Sequence, residues 1–168
     1  MPGTYEPIAT SSPTSGNSVT FNSISSSYTD LIIVSSIRTD KTSASSDTYA
    51  LRFNGDTGSN YSAVIMRGSG SSATSFKSSG TTMFCGEVAD NNNTSGIFSP
   101  NIVSITNYSN STTYKTAIIQ NGGNNYLERC AGLWRSTSAI NSITLMMNNS
   151  ASSFVSGTTI TIYGIKAA

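Results

Sequence analysis

Apolar residues recur along this 168-residue chain in short runs separated by clusters of Ser, Gly, Asn and Asp, a spacing that belongs to antiparallel β-structure and not to βαβ units. The runs lie at Tyr5 to Ala9, Val19 to Ile24, Leu31 to Arg38, Thr48 to Asn54, Tyr61 to Arg67, Thr82 to Val88, Ile102 to Thr106, Tyr114 to Gln120, Tyr126 to Trp134, Asn141 to Met147 and Thr158 to Tyr163. They predict ten or eleven strands. Tyr49, Leu51 and Phe53, then Ile143, Leu145 and Met147, then Ile160 and Ile162 each project to one face of a strand and are assigned to the core. Leu31-Ile32-Ile33-Val34 is apolar on both faces, which places that strand centrally or at an interface. Asn54-Gly55-Asp56 and Asn121-Gly122-Gly123-Asn124-Asn125 supply residues that tolerate positive φ and read as reversals between strands. The Ser-rich stretch from Gly68 to Gly80, with Phe76 as its one large apolar residue, reads as a long surface loop, and Asp90 to Gly96 as another.

Composition sharpens this picture. The chain holds 33 Ser, 22 Thr and 16 Asn, short polar residues that disfavour helix interiors, and its 16 Ile against 5 Leu favour a pleated, half-buried surface. The fold class is therefore all-β. Length suits one domain, and neither a linker-like break nor a fixed-period repeat divides it, so residues 1–168 are assigned to a single β domain, a sandwich or a barrel, with a short N-terminal arm. The aliphatic core is thin, which points to aromatic packing and to further burial against copies of the same chain. Charge is sparse, at 10% of residues with a net +1, so the composition carries no electrostatic footprint for nucleic acid or an anionic membrane. No apolar run reaches 18 residues, and Met1-Pro2-Gly3-Thr4-Tyr5-Glu6 lacks the basic start and apolar stretch of a secretory signal; synthesis in the cytoplasm without membrane insertion is expected.

Candidate chemistry is thin as well. The absence of histidine removes Ser-His-Asp and Cys-His catalysis and imidazole metal sites. A glycosidase needs only two carboxylates, and Glu87 and Glu128, each inside a predicted strand among apolar neighbours, are the best pair, although an in-strand Glu is more often ion-paired than catalytic. Asp90-Asn91-Asn92-Asn93-Thr94-Ser95-Gly96 offers oxygen ligands and a Gly, yet lacks the closing Glu of a calcium loop. Gly68-Ser69-Gly70 has neither the glycine spacing of a dinucleotide site nor the Lys-Ser/Thr of a phosphate loop. The Asn-x-Ser/Thr triplets at Asn93, Asn107 and Asn110 imply no glycan without a secretory route. Tyr61, Tyr108, Tyr114, Tyr126 and Trp134 would stack on sugar rings if clustered on an exposed face, with core packing the commoner fate. Cys85 and Cys130 have no metal or redox spacing and read as buried free thiols. The expectation is a protein without catalytic residues, metal or cofactor.

Three passages carry a family likeness: Arg52-Phe53-Asn54-Gly55-Asp56-Thr57-Gly58-Ser59-Asn60-Tyr61-Ser62; Ala131-Gly132-Leu133-Trp134 followed by Ala139-Ile140-Asn141-Ser142-Ile143-Thr144-Leu145; and the ending Ile160-Thr161-Ile162-Tyr163-Gly164-Ile165-Lys166. From Tyr5 to Lys166 the chain resembles small β-rich virion proteins of tailed bacteriophages. The resemblance implies a jelly-roll-like sandwich of about 8–11 strands, a homo-oligomer with a trimer favoured, and a structural role with no catalytic residue. It implies either a capsid decoration (cement) protein bound to the major capsid protein over subunit junctions on the capsid exterior, or a tail or head fibre component that binds a receptor or carbohydrate such as host-surface glycans. A first strand close to Met1, with no rod-like segment before it, favours decoration. Polysaccharide depolymerisation through Glu87 and Glu128 is the remote alternative.

Overall fold

Among the described residues the chain forms twelve strands and no helix, as this composition favours. The computed structural model describes residues 5–42, 46–123, 125–148 and 150–166; the N-terminal arm before Tyr5 and position 124 of the Asn121 turn lie outside them. The strands are β1 (Tyr5–Ser11), β2 (Ser18–Phe21), β3 (Asp30–Ile37), β4 (Asp47–Phe53), β5 (Tyr61–Gly68), β6 (Ala73–Gly80), β7 (Met83–Val88), β8 (Ser99–Ile105), β9 (Lys115–Gly122), β10 (Leu127–Trp134), β11 (Ile143–Met147) and β12 (Thr159–Ile165). Neighbouring strands pair antiparallel throughout, in an eight-stranded sheet of order β1-β12-β3-β8-β9-β10-β5-β6 and a four-stranded sheet of order β2-β11-β4-β7. The two pack face to face as a jelly-roll-like β-sandwich.

The core lies between the sheets and is built by the expected alternation. Tyr49, Leu51 and Phe53 of β4, Ile143 and Leu145 of β11 and Ile160 and Ile162 of β12 are fully buried, and Leu31 and Ile33 face them from β3. Phe53, Tyr61 and Trp134 form one aromatic cluster with ring centroids 5.4–6.4 Å apart, which supplies the bulk that few leucines provide.

Two expectations are corrected. The stretch from Gly68 to Gly80 is not a loop: a tight turn, with Ser69 N–H donating to Ser72 O at 2.9 Å, reverses β5 into β6. β6 bonds only to β5 and most of its residues are exposed. A strand at a sheet edge with water on both faces needs no apolar alternation, so its sequence looks like a loop. The Asn54-Gly55 turn is real, with φ of 51° and 65° and Asp56 N–H closing on Phe53 O, but it carries the chain from one sheet to the other and joins strands that do not pair. The Asn121 turn does close a hairpin, between β9 and β10.

Two of the three passages that carry the family resemblance meet around this crossover, and the third, in β12, packs elsewhere. Asn54 Oδ1 accepts from Asn141 N–H (2.9 Å) and Ser142 N–H (3.2 Å), its Nδ2 donates to Ala139 O (2.8 Å), and Asp56 Oδ2 accepts from Trp134 Nε1 at 2.7 Å. Gly164 lies under the Tyr28 ring, where any Cβ would overlap the ring atoms. These are fold-defining contacts, which explains why the passages say little about partners.

Candidate functional site

β7 is an edge strand of the smaller sheet, and its free edge, with Ala89 just beyond it, presents main-chain groups of Cys85, Glu87 and Ala89 to the sandwich interior. Buried backbone groups must be paired. Among the described residues no fifth strand of the smaller sheet does this; side chains of the larger sheet do. Asn101 Nδ2 of β8 donates to Cys85 O (2.7 Å), Asn121 Nδ2 of β9 donates to Glu87 O (2.8 Å), Glu87 N–H donates to Glu128 Oε2 of β10 (2.7 Å), and Ala89 N–H donates to Ser99 Oγ (2.9 Å). All four capping residues are buried. Gly86 makes the approach feasible: its φ is 126°, and a Cβ there would sit inside the Asn121 side chain.

The two carboxylates singled out from sequence therefore do come together, bridged by an arginine. Glu128 Oε1 accepts from Arg67 Nε at 2.7 Å and lies 2.6 Å from its Nη2, and the same Nη2 reaches Glu87 Oε1 at 3.1 Å. Asn121 Nδ2 adds a bond to Glu128 Oε2 at 3.0 Å, and Ser46 Oγ donates to Glu87 Oε2. The guanidinium lies 4.3 Å from the Tyr126 ring centroid and 4.9 Å from that of Phe76. Burial opposes its charge, but the bonds from and proximity of Glu128, with Glu87 beside it, outweigh that and hold Arg67 above its ordinary value. Glu128 thus accepts three hydrogen bonds, one on Oε1 and two on Oε2, besides its ion-pair contact with Arg67 Nη2. Acid–base glycoside hydrolysis needs open space between its two carboxyls, whereas here the Arg67 guanidinium occupies the space between Glu87 and Glu128. The arrangement is that of a strand-edge cap.

The other sequence candidates are separated by the fold. In the Asp90 to Gly96 loop and at Ile97 just after it, the carbonyls of Asn93, Thr94 and Ile97 accept from the Arg38 guanidinium at 3.0–3.1 Å. Tyr61, Tyr108 and Trp134 are buried, Tyr126 covers Arg67, and Tyr114 alone of the five is exposed. Cys85 and Cys130 are free and buried. Burial, with the charge of Glu128 adding to it, pushes the Cys130 thiol up to about 12, and burial pushes Cys85 up as well.

What sequence reasoning missed is the outer face of the eight-stranded sheet. Val34 (β3) stands opposite Ile102 (β8); Ile118 (β9), Ala131 (β10) and Val64 (β5) stand in one row; Met66 stands opposite Arg129, and Val64 opposite Lys77. Val64, Met66 and Leu127 are 51%, 69% and 73% exposed, and Val34, Ile102 and Ile118 are exposed as well. Six exposed apolar side chains on one face of one sheet make a candidate contact surface. Three open depressions of about 350, 440 and 370 Å³ lie along this face, beside Leu127 and Met66, beside Ile118 and Leu133, and beside Val64 and Lys77. The signal was present: Ala63-Val64-Ile65-Met66 and Ala117-Ile118-Ile119 are apolar on both faces, like Leu31 to Val34.

No family model and no curated protein matches this chain. Among solved structures it is similar to Scytalido-glutamic peptidase with a peptide-based transition state analog, at 14% identity over 89% of this chain and 74% of that one, with a TM-score of 0.33. It is also similar to a mutant of the alginate lyase Aly36B in complex with alginate tetrasaccharide, at 11% identity over 84% and 72%, with a TM-score of 0.32. Similarity at this level carries no inference about chemistry.

Proposed function

We propose that this chain is a bacteriophage virion structural protein, a capsid decoration protein that binds as an oligomer, with a trimer favoured, over junctions of the major capsid protein on the capsid exterior. The observation that carries the reading is the broad apolar outer face of the eight-stranded sheet, a surface suited to adhesion. The family resemblance from Tyr5 to Lys166 supplies the phage context, and the use of Glu87 and Glu128 as a strand-edge cap leaves the role resting on contact. Bound copies stabilise the shell by mass action, since protein that binds only the assembled lattice favours it, and an oligomer multiplies weak contacts into avidity.

The receptor- or glycan-binding alternative draws on exposed aromatic rings. Tyr5 and Tyr114 are both more than half exposed, but Tyr5 lies on β1 and Tyr114 adjoins β9, four strands apart and so roughly 19 Å. Rings so far apart do not share one sugar, and decoration is the better-supported reading. Particles assembled without this protein are expected to form but to release DNA at lower temperature or under milder osmotic shock than complete particles, with purified protein restoring resistance. Equal resistance with and without the protein would overturn the proposal.

A further inference from the structure

The charged side chains of this chain are almost all used internally, and the exceptions share one surface. Of nine Lys and Arg residues, all but two bind a carboxylate or another oxygen of the chain: Arg38 and Lys115 hold main-chain carbonyls, Arg67 holds Glu87 and Glu128, and Lys166 holds Glu6 at 2.9 Å. Lys41, Arg52 and Arg135 are engaged in the same way. Lys77 and Arg129 have no such partner among the described residues. Both are exposed on the outer face of the eight-stranded sheet, Lys77 beside Val64 and Arg129 beside Met66, so the two cations bracket the apolar residues of β5.

All eight carboxylates, by contrast, already accept a hydrogen bond from their own chain, including the surface ones: Glu6 from Lys166, Asp30 from Asn107 N–H, Asp40 from Ser153 N–H and Asp56 from Trp134. A second copy laid on this face would bring two further cations, its own Lys77 and Arg129, to the interface, with no unengaged carboxylate among the described residues to meet them. Burying unpaired like charges is unfavourable, and interfaces avoid it by matching potentials.

We propose that this face docks a different protein, one whose surface is apolar and carries carboxylates spaced to meet Arg129 and Lys77, and that copies of this chain join through other surfaces. This rests on the decoration reading, in which that protein is the capsid subunit. Apolar contact over Met66, Val64, Leu127 and Ile118 supplies adhesion, and the two cations set register and reject self-pairing.

The test uses purified full-length protein and virions from phage lacking its gene, with bound copies counted by quantitative mass spectrometry and oligomeric mass by light scattering. Arg129→Glu with Lys77→Glu, and separately Met66→Ser with Leu127→Ser, are expected to weaken virion binding by about a hundred-fold or more. The oligomeric mass and circular dichroism should be unchanged, because all four residues are exposed. Ser18→Glu, on the smaller sheet, should bind as wild type. Raised salt should weaken wild-type binding more than that of Arg129→Ala with Lys77→Ala. Wild-type binding by the charge-reversed variant, or collapse of either variant to monomers, overturns this inference alone. If a few copies bind only at the tail, and the variants lose them, the decoration reading falls while the docking face stands. Wild-type protein that binds no part of the virion overturns both.

Discussion

Glu128→Ala is the sharpest test of the strand-edge cap. The substitution removes a fully buried carboxylate that takes two contacts from Arg67, one bond from Glu87 N–H and one from Asn121. Breaking a buried ion pair from one side costs about 3–5 kcal/mol. Arg67 retains Glu87 at 3.1 Å and its side chain is 18% exposed, which places that part near the low end. The unpaired Glu87 N–H and Asn121 amide add to it, each stranded donor being worth about 1–3 kcal/mol. These contributions overlap, and about 4 kcal/mol is expected in all. At a urea m-value of about 2 kcal/mol/M that lowers the unfolding midpoint by roughly 2 M. Glu128→Gln keeps an acceptor for Glu87 N–H and loses only the charge, so about half that shift is expected. A midpoint change under about 0.3 M for the alanine variant, the size of a neutral surface substitution, would refute the capping role.

Gly86→Ala should destabilise by about 2–4 kcal/mol in the same assay, since it adds strain at positive φ to overlap with Asn121; a neutral result would mean that β7 shifts freely. Cys85 and Cys130 should resist a disulfide thiol reagent at pH 8 in the folded protein and react fully in denaturant, as burial holds both protonated. The same shift sets a sign: unfolded thiols ionise near 9, while folded Cys130 keeps its proton to about 12, so stability should fall as pH rises across that window. Trp134→Phe removes the largest cause holding the Asp56 carboxyl below the ordinary carboxylate range, so its pKa by NMR should rise. The stability that Asp56 gives above the ordinary carboxyl pKa, lost as pH falls through its lower folded value, should then shrink.

Much of the sandwich was legible because period-two alternation has a direct physical cause. Tyr49, Leu51 and Phe53 cannot all face one core unless the chain is extended. β6 was illegible for the converse reason: an edge strand with both faces wet carries no such constraint, and Ser and Thr serve a strand as well as a loop. The partners of the Asn54-Gly55 turn were hidden because a positive-φ turn marks a reversal without saying whether the strands pair. Glu87 and Glu128 could be named but not paired, because Arg67 joins them only once β5, β7 and β10 are stacked. The outer face was the costliest omission. Apolar residues at Val64, Met66 and Ile118 fit a core as readily as an interface until the second sheet is seen to cover only the other side.

Capsid decoration is the central proposal, and the number of copies on the intact virion tests it most directly. Quantitative mass spectrometry of purified particles should give hundreds of copies, in simple ratio to the major capsid protein. A handful confined to the tail, or none, would contradict the account.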